Sequence, residues 1–289
     1  MARAAAARPA FSTYHPAVPA LFSVLTLALT MFSMHPVLIA LSFAGGFAYG
    51  CAARGPRRTL AALRWQLPLI AIVAVLNPLF SASGSTELFR LGQRAVYLES
   101  LAYGACMGGM FMAAVLWFEA AASMLGYDKV MALFGNAAPI LALMISMCMR
   151  LIPQFVRRGR SIFAVQDAVD VPGRSSGDVV RERLRASSVL MGWSMEDSLE
   201  RADAMRARGW GVGRRTTYTR YRFRRADAAA IAAIAAAGAL VVAVAVHATG
   251  QFAFYPRLST PVLWWGYAAY AAWMFALCVL QVLEEKRFG

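Results

Sequence analysis

Lysine is nearly missing from this 289-residue chain: only Lys129 and Lys286 occur, against a formal net charge of +14. The positive charge is therefore almost all arginine, whose planar guanidinium suits bidentate recognition of carboxylates and phosphates. Charged residues of all kinds make up only 15% of the chain and apolar residues 60%. A soluble domain carries roughly 25% and 45–50%, so there is more apolar surface than one soluble core can bury, and lipid must solvate the excess. Cysteine is scarce, and Cys51, Cys106, Cys148 and Cys278 stand apart with no CxxC pair. That spacing speaks against a thiolate metal site and leaves buried, inert thiols. His15, His35 and His247 are equally scattered, so neither a metal site nor a cofactor site is expected. The chain has no HExxH and no GxxxxGK[ST] phosphate loop, so ATP chemistry is expected elsewhere.

What is present is a set of long apolar blocks around one arginine-rich stretch. Arg150 to Arg225 hold 17 arginines against eight acids. A basic patch always raises nucleic-acid binding. Flanked by apolar blocks, it reads instead as the Lys/Arg bias of cytoplasmic loops, with no nucleic-acid partner. Residues 1–10 carry arginines ahead of an apolar run, but that run continues through residue 52, too far for a signal peptide. They read as a disordered cytoplasmic tail.

The first block, about Ala17 to Ala53, exceeds one span of ~20 residues and is interrupted at His35-Pro36, so it reads as a hairpin of two short helices. Arg54, Arg57, Arg58 and Arg64 then mark a cytoplasmic loop. A third span covers about Trp65 to Phe80, followed by an external loop, SASGSTELFRLGQR. A fourth runs from about Tyr97 to Met124, with Glu99 and Glu119 near its ends. Membrane carboxylates are functional candidates by default, but end positions also suit plain hydrogen-bonded or solvated groups. Residues 136–152 are apolar but short of a span, and are expected to lead a helix down to the cytoplasmic surface. Asp227 to His247 and Pro261 to Leu283 are each long enough to cross. The expected fold is an all-α, polytopic membrane protein of about six transmembrane helices plus amphipathic cytoplasmic helices. Its parts are residues 1–135, the arginine-rich region 136–225 and the final pair 226–289, with both termini cytoplasmic.

Two helices are expected inside the arginine-rich region. The first starts near Ile152 with Pro153 in its first turn, clusters Arg157, Arg158 and Arg160, and stops at Pro172-Gly173. The second starts near Asp178 as N-cap and carries an apolar stripe through Leu184, Met191 and Met205, with Ser188, Met195 and Ala202 as the neighbouring row and Leu199 between. It stops at Gly209-Trp210-Gly211, with Arg206 and Arg208 in its last turn. Arginines there interact favourably with the negative end of the helix dipole; they also suit an acidic groove on a partner.

Trp193 to Phe223, WSMEDSLERADAMRARGWGVGRRTTYTRYRF, resembles the signature of the transmembrane T component of energy-coupling factor (ECF) transporters. Its centre is Ala202 to Gly211, and the family's Ala-Arg-Gly triplet falls on Ala207, Arg208 and Gly209. Further resemblance lies in Asn77-Pro78-Leu79-Phe80, in Tyr97 to Gly104, and in Tyr14-His15-Pro16 and His35-Pro36, so it covers nearly the whole chain. It implies a non-catalytic subunit of the bacterial or archaeal cell membrane. The implied partners are two ABC-type ATPases and a membrane S component that binds a vitamin or metal ion. The implied ATPase-coupling residues are Asp203, Met205, Arg206, Ala207, Arg208 and Gly209.

The chain departs from the family twice. Where many members carry a first Ala-Arg-Gly, it reads Val165-Gln166-Asp167-Ala168-Val169-Asp170. Gln166 and Ala168 persist; either Arg157, Arg158 or Arg160 supplies the arginine of a second coupling site, or that ATPase is held mainly by apolar contact. Two apolar blocks, rather than one, follow the motif. A standalone transporter and a membrane-embedded enzyme are the alternatives. Internal repeats and midplane charges would mark the first; a nucleophile with its base, or clustered ligands, would mark the second. Gly45, Gly46, Gly104, Gly108 and Gly109 suit close helix packing, against the S component or within this chain.

Overall fold

The computed structural model describes residues 11, 14–80, 85–91, 94–134, 139–168, 176–213, 221, 223–255, 258–259 and 264–288. The tail at 1–10, the stop at Pro172-Gly173 and the first residues of the last apolar block lie outside the described residues.

The first block is a hairpin of α1 (Ala17–Phe32) and α2 (Pro36–Arg54). Pro36 sits at the start of α2, where its missing N–H costs no helical bond, and His35 caps that helix by accepting the Val37 N–H on Nδ1 at 3.2 Å. Nδ1 being the acceptor, neutral His35 carries its proton on Nε2, which lies 3.1 Å from the Tyr267 hydroxyl. His35 lies between the two helices, and burial lowers its pKa below the usual histidine range.

α3 (Pro56–Phe80) follows after Gly55 alone, whose φ of 89° makes the corner without side-chain strain. The expected cytoplasmic loop is therefore helix: Arg57, Arg58 and Arg64 lie within α3 and Arg54 ends α2. A second proline at a helix start, together with good helix formers after it, extends the span inward. The expected external loop holds a short antiparallel hairpin, β1 (Glu87–Leu91) with β2 (Arg94–Tyr97). α4 (Leu98–Met124) and the short α5 (Tyr127–Phe134) come next. Then follow α6 (Pro139–Ala168), α7 (Ser176–Ala207), α8 (Arg225–Gly250) and α9 (Gly266–Phe288).

Among the described residues six helices are long and apolar enough to cross a membrane, within α2, α3, α4, α6, α8 and α9. The chain is a multi-pass, essentially all-α membrane protein. Six spans were expected, but membership differs. α1 has 16 residues, about 24 Å of helix, short of a hydrocarbon core of about 30 Å. The apolar helix expected over 136–152 and the amphipathic one expected from near Ile152 are a single helix, α6, continuous from Pro139 with Pro153 inside it. Proline there forfeits one backbone hydrogen bond, and a 30-residue helix with long apolar and charged runs on both sides carries that loss. Asp178 lies inside α7 rather than at its cap.

The chain divides into two compact units: a body, residues 1–130 and 221–289, which holds five of the six membrane-length helices, and an insert, residues 131–220, which holds α6 and α7. The body's core gathers Tyr49, Trp117, Tyr270, Met274 and Leu277 from α2, α4 and α9. Phe22 of α1 stacks on Trp273 of α9 at 4.8 Å. Lipid is as apolar as leucine, so close packing and internal hydrogen bonds must hold such helices together. Both are visible. A Cβ on Gly45 would come within 2.8 Å of Met274, and one on Gly104 within 2.8 Å of Asn77. Gly46, Gly108 and Gly109 likewise face Leu116, Ile70 and Ile39, so these glycines serve packing within this chain. Trp273 Nε1 donates to Thr26 Oγ1 at 3.0 Å, Trp117 Nε1 to Ser42 at 3.0 Å, and Thr30 pairs with Ser42 at 2.7 Å.

Candidate functional site

The C-terminal tip of α7 has a defined stop. The Gly209 N–H donates to the Arg206 carbonyl at 2.9 Å and the Trp210 N–H to the Met205 carbonyl at 3.0 Å. Gly209 has φ 77°. This pair of bonds around a left-handed residue is the Schellman termination, with Arg208 as C-cap and Gly209 as the residue that must turn. The physical reason for glycine in the triplet is thus the backbone: an L-residue there would put its Cβ against the preceding carbonyl. Ala207 closes the regular helix. Gly211 turns again with φ 91°.

Asp203, Arg206, Ala207, Arg208 and Gly209 are all exposed at this tip, and Met205 is half-buried. Arg206 and Asp203 approach at 3.8 Å, but their side chains are 82% and 78% exposed, so the pair contributes little. Arg208 makes no ion pair among the described residues. The tip therefore offers a guanidinium at the electronegative end of a 32-residue helix, on a backbone fixed by its cap.

α6 and α7 run antiparallel, as their contacts show. Gln154 accepts from Arg201, Phe155 meets Trp193 edge-on at 5.7 Å, Gly159 faces Leu190, and Arg183 lies over the Phe163 ring. The Arg158 guanidinium lies over the Trp193 ring, 3.1 Å from its centre, a cation–π stack. Arg201 is also tied to Asp197 at 2.6 Å. Sequence reasoning missed this latch, although Trp193 opens the family-like run and a lone tryptophan on a charged helix was a usable signal.

The latch bears on the residues expected to form a second coupling site. Arg158 is held on Trp193, so it is not the free replacement for the absent arginine. Arg157 and Arg160 are exposed on the middle of α6. Gln166 and Ala168 lie at its C-terminal end, with Arg160 eight residues earlier, about 12 Å along the axis. The five residues do not form one cluster. By the antiparallel register, the α6 end and the α7 tip are roughly 40 Å apart.

The apolar stripe stays largely uncovered: Leu184, Met191, Met195 and Leu199 are each between 64% and 70% exposed, while Met205 is half-buried. In the body, the span-four carboxylates are accounted for locally. Glu99 is 2% exposed and accepts from Ser85 Oγ, Thr86 N–H and Thr86 Oγ1. Glu119 pairs with Arg54. An apolar cavity of about 460 Å³ between α1 and α8 is lined by Leu29, Phe32, Val242 and Val246, with Ser33 and Thr249 its polar side chains.

One string escaped the sequence reading: Gly173-Arg174-Ser175-Ser176-Gly177 matches G-x-S-x-G. A nucleophile elbow needs a strand before the serine, whereas the element before this string is α6 and Ser176 opens α7; Ser175 lies outside the described residues. No protein-family model matches this chain, and no curated protein matches it.

Proposed function

We propose that this chain is the transmembrane coupling subunit of an ATP-driven importer of the energy-coupling factor type. The observation that carries the reading is the α7 tip, where a Schellman cap fixes Ala207-Arg208-Gly209 and leaves Arg208 exposed at the end of a long amphipathic helix. Such a tip fits an acidic groove on an ATPase. The antiparallel insert gives two helical C-termini at opposite ends, which suits two ATPase subunits. The α6 end, lacking an arginine in the triplet, would be held by Gln166, Ala168 and apolar contact. The exposed stripe from Leu184 to Leu199 is suited to a membrane S component that carries the vitamin or metal ion.

In this reading the chain is not itself an enzyme, binds no cofactor and works in a bacterial or archaeal cell membrane. The insert and both termini are cytoplasmic. α1, shorter than an average hydrocarbon core, crosses by local thinning of the bilayer; with α2, α3, α4, α8 and α9 it makes six crossings and returns the chain to the cytoplasm before the insert. α6 lies at the inner surface, where Arg150, Arg157, Arg158 and Arg160 keep their charge in water.

The test is uptake by cells expressing the complete transporter with wild-type chain or Arg208→Glu. The expected result is loss of at least nine-tenths of uptake with normal membrane levels of the variant. Wild-type uptake by Arg208→Glu would refute the assignment of Arg208 to the contact.

A further inference from the structure

The insert leaves the membrane body after Val130 and returns at Tyr221. Both points of attachment meet the same short N-terminal segment. On the outgoing side, Lys129 in the first turn of α5 donates from Nζ to the Phe11 carbonyl at 2.8 Å. Lys129 is 9% exposed and Phe11 7%, so this ammonium is held in the protein rather than snorkelled into water. On the returning side, Tyr221 and Phe223 meet the His15 ring edge-on, at 6.3 Å and 5.4 Å. Asp227, in the first turn of α8 and 4% exposed, accepts the His15 backbone N–H on Oδ1 at 3.0 Å. Its other oxygen accepts the Arg224 N–H at 2.8 Å.

Each contact alone has a plain explanation. An aspartate at this helical position commonly bonds the N-cap N–H, which accounts for Oδ2. It does not account for Oδ1 reaching a backbone group 212 residues away. A buried lysine commonly finds a carbonyl, but this carbonyl belongs to the same segment that Asp227 holds. The backbone supplies an independent sign. Phe11 has φ 63°, a left-handed conformation that strains a bulky residue and persists only where the surroundings enforce it. Those surroundings are Tyr14, edge-on at 5.7 Å, and Phe22 of α1, itself stacked on α9. The segment then runs directly into α1, with His15 Nδ1 accepting the Ala17 N–H at 3.3 Å.

We infer that Phe11, Tyr14 and His15 form a clasp that ties both necks of the insert to the start of α1, with Lys129 and Asp227 as its positioning residues. A displacement of the insert that moves either neck pulls on the other and on α1 together. Two independent hinges would let each neck move alone. The clasp stands on its own contacts; its part in transport rests on the coupling function proposed above.

Hydrogen exchange of the full chain in lipid nanodiscs separates clasp from independent caps. Lys129→Met breaks the outgoing contact and Asp227→Asn weakens the returning one. A clasp requires that each variant speed exchange at the opposite neck by tenfold or more: residues 223–228 in Lys129→Met, and residues 127–130 in Asp227→Asn. The double variant should add little to either single one. Lys129→Arg keeps a donor and should restore protection. Exchange raised only at the mutated neck overturns the clasp. If Lys129→Met does not fold, Asp227→Asn alone still decides, through residues 127–130. In the assembled transporter, Asp227→Asn should keep its ATPases bound yet lose most uptake. Wild-type uptake with a loosened clasp overturns the transmitting role. Failure of ATPases to bind the wild-type chain would instead overturn the coupling reading and leave the exchange result standing.

Discussion

The membrane body and the insert treat their side chains in opposite ways. In the body, polar groups turn inward and find partners: Thr26 with Trp273, Ser42 with Trp117 and Thr30, Glu99 with Ser85 and Thr86. Its exposed apolar residues, such as Leu67, Ile72 and Val75 of α3, face what a bilayer supplies. In the insert the charges at the α7 tip point out, with Arg206 and Asp203 only loosely paired, and most of the apolar stripe of α7 is left open beside them. Lipid explains the first surface. It does not explain an apolar stripe interleaved with arginine, which is suited to a partner protein. A body packed within itself and an insert with an open apolar face are compatible with the coupling subunit proposed above.

The comparison can be broken with one substitution made twice. Gly45→Ala in the body forces a Cβ to within 2.8 Å of Met274, and should destabilise by about 1–3 kcal/mol. Thermal unfolding of the purified chain in detergent reads this as a clear drop in Tm. Gly192→Ala in α7 meets nothing within 4 Å, and should firm the insert by up to about 1 kcal/mol. Equal losses of stability would mean that the insert is packed as tightly as the body.

Gly209→Ala tests the tip. The left-handed φ should cost roughly 1–2 kcal/mol locally, fraying the last turn without touching the body. Amide exchange at Gly209 and Trp210 should rise sharply, while Gly209→Asn, which tolerates this conformation better, should be milder. Unchanged protection in Gly209→Ala would show that the Schellman cap does not fix the tip. Smaller still is the latch. Arg158→Met keeps the stem but removes the guanidinium over Trp193, for a loss of about 0.5–1 kcal/mol. Trp193 fluorescence should shift, because its ring loses the charge 3.1 Å away. An unshifted spectrum would return Arg158 to the second coupling site.

The fold was legible where hydrophobicity or glycine and proline dictated it. α4 was expected from about Tyr97 to Met124 and runs from Leu98 to Met124; the α1–α2 hairpin follows from His35-Pro36; the α7 stop follows from Gly209 and Gly211. The reading failed where one local rule met a longer helix. Pro153 looked like a start because proline favours first turns, yet the flanking runs were long enough to carry it through. Arg57 and Arg58 looked like loop because charge marks interfaces, yet an interface is also where a helix can begin. The geometry of the α7 tip was legible because the residues that end the helix are contiguous. The latch and the clasp were not, since Arg158–Trp193 depends on antiparallel register and His15–Asp227 joins residues from opposite ends of the chain. No spacing in a sequence reports such meetings.

The most direct test of the coupling account is purification of the tagged wild-type chain, coexpressed with its candidate ATPases and S component, followed by a count of what remains bound. The account predicts two ATPase subunits for each copy of this chain, and ATP-dependent uptake only when all components are reconstituted together. Substrate flux into liposomes from this chain alone, with no ATPase bound at any step, would contradict it.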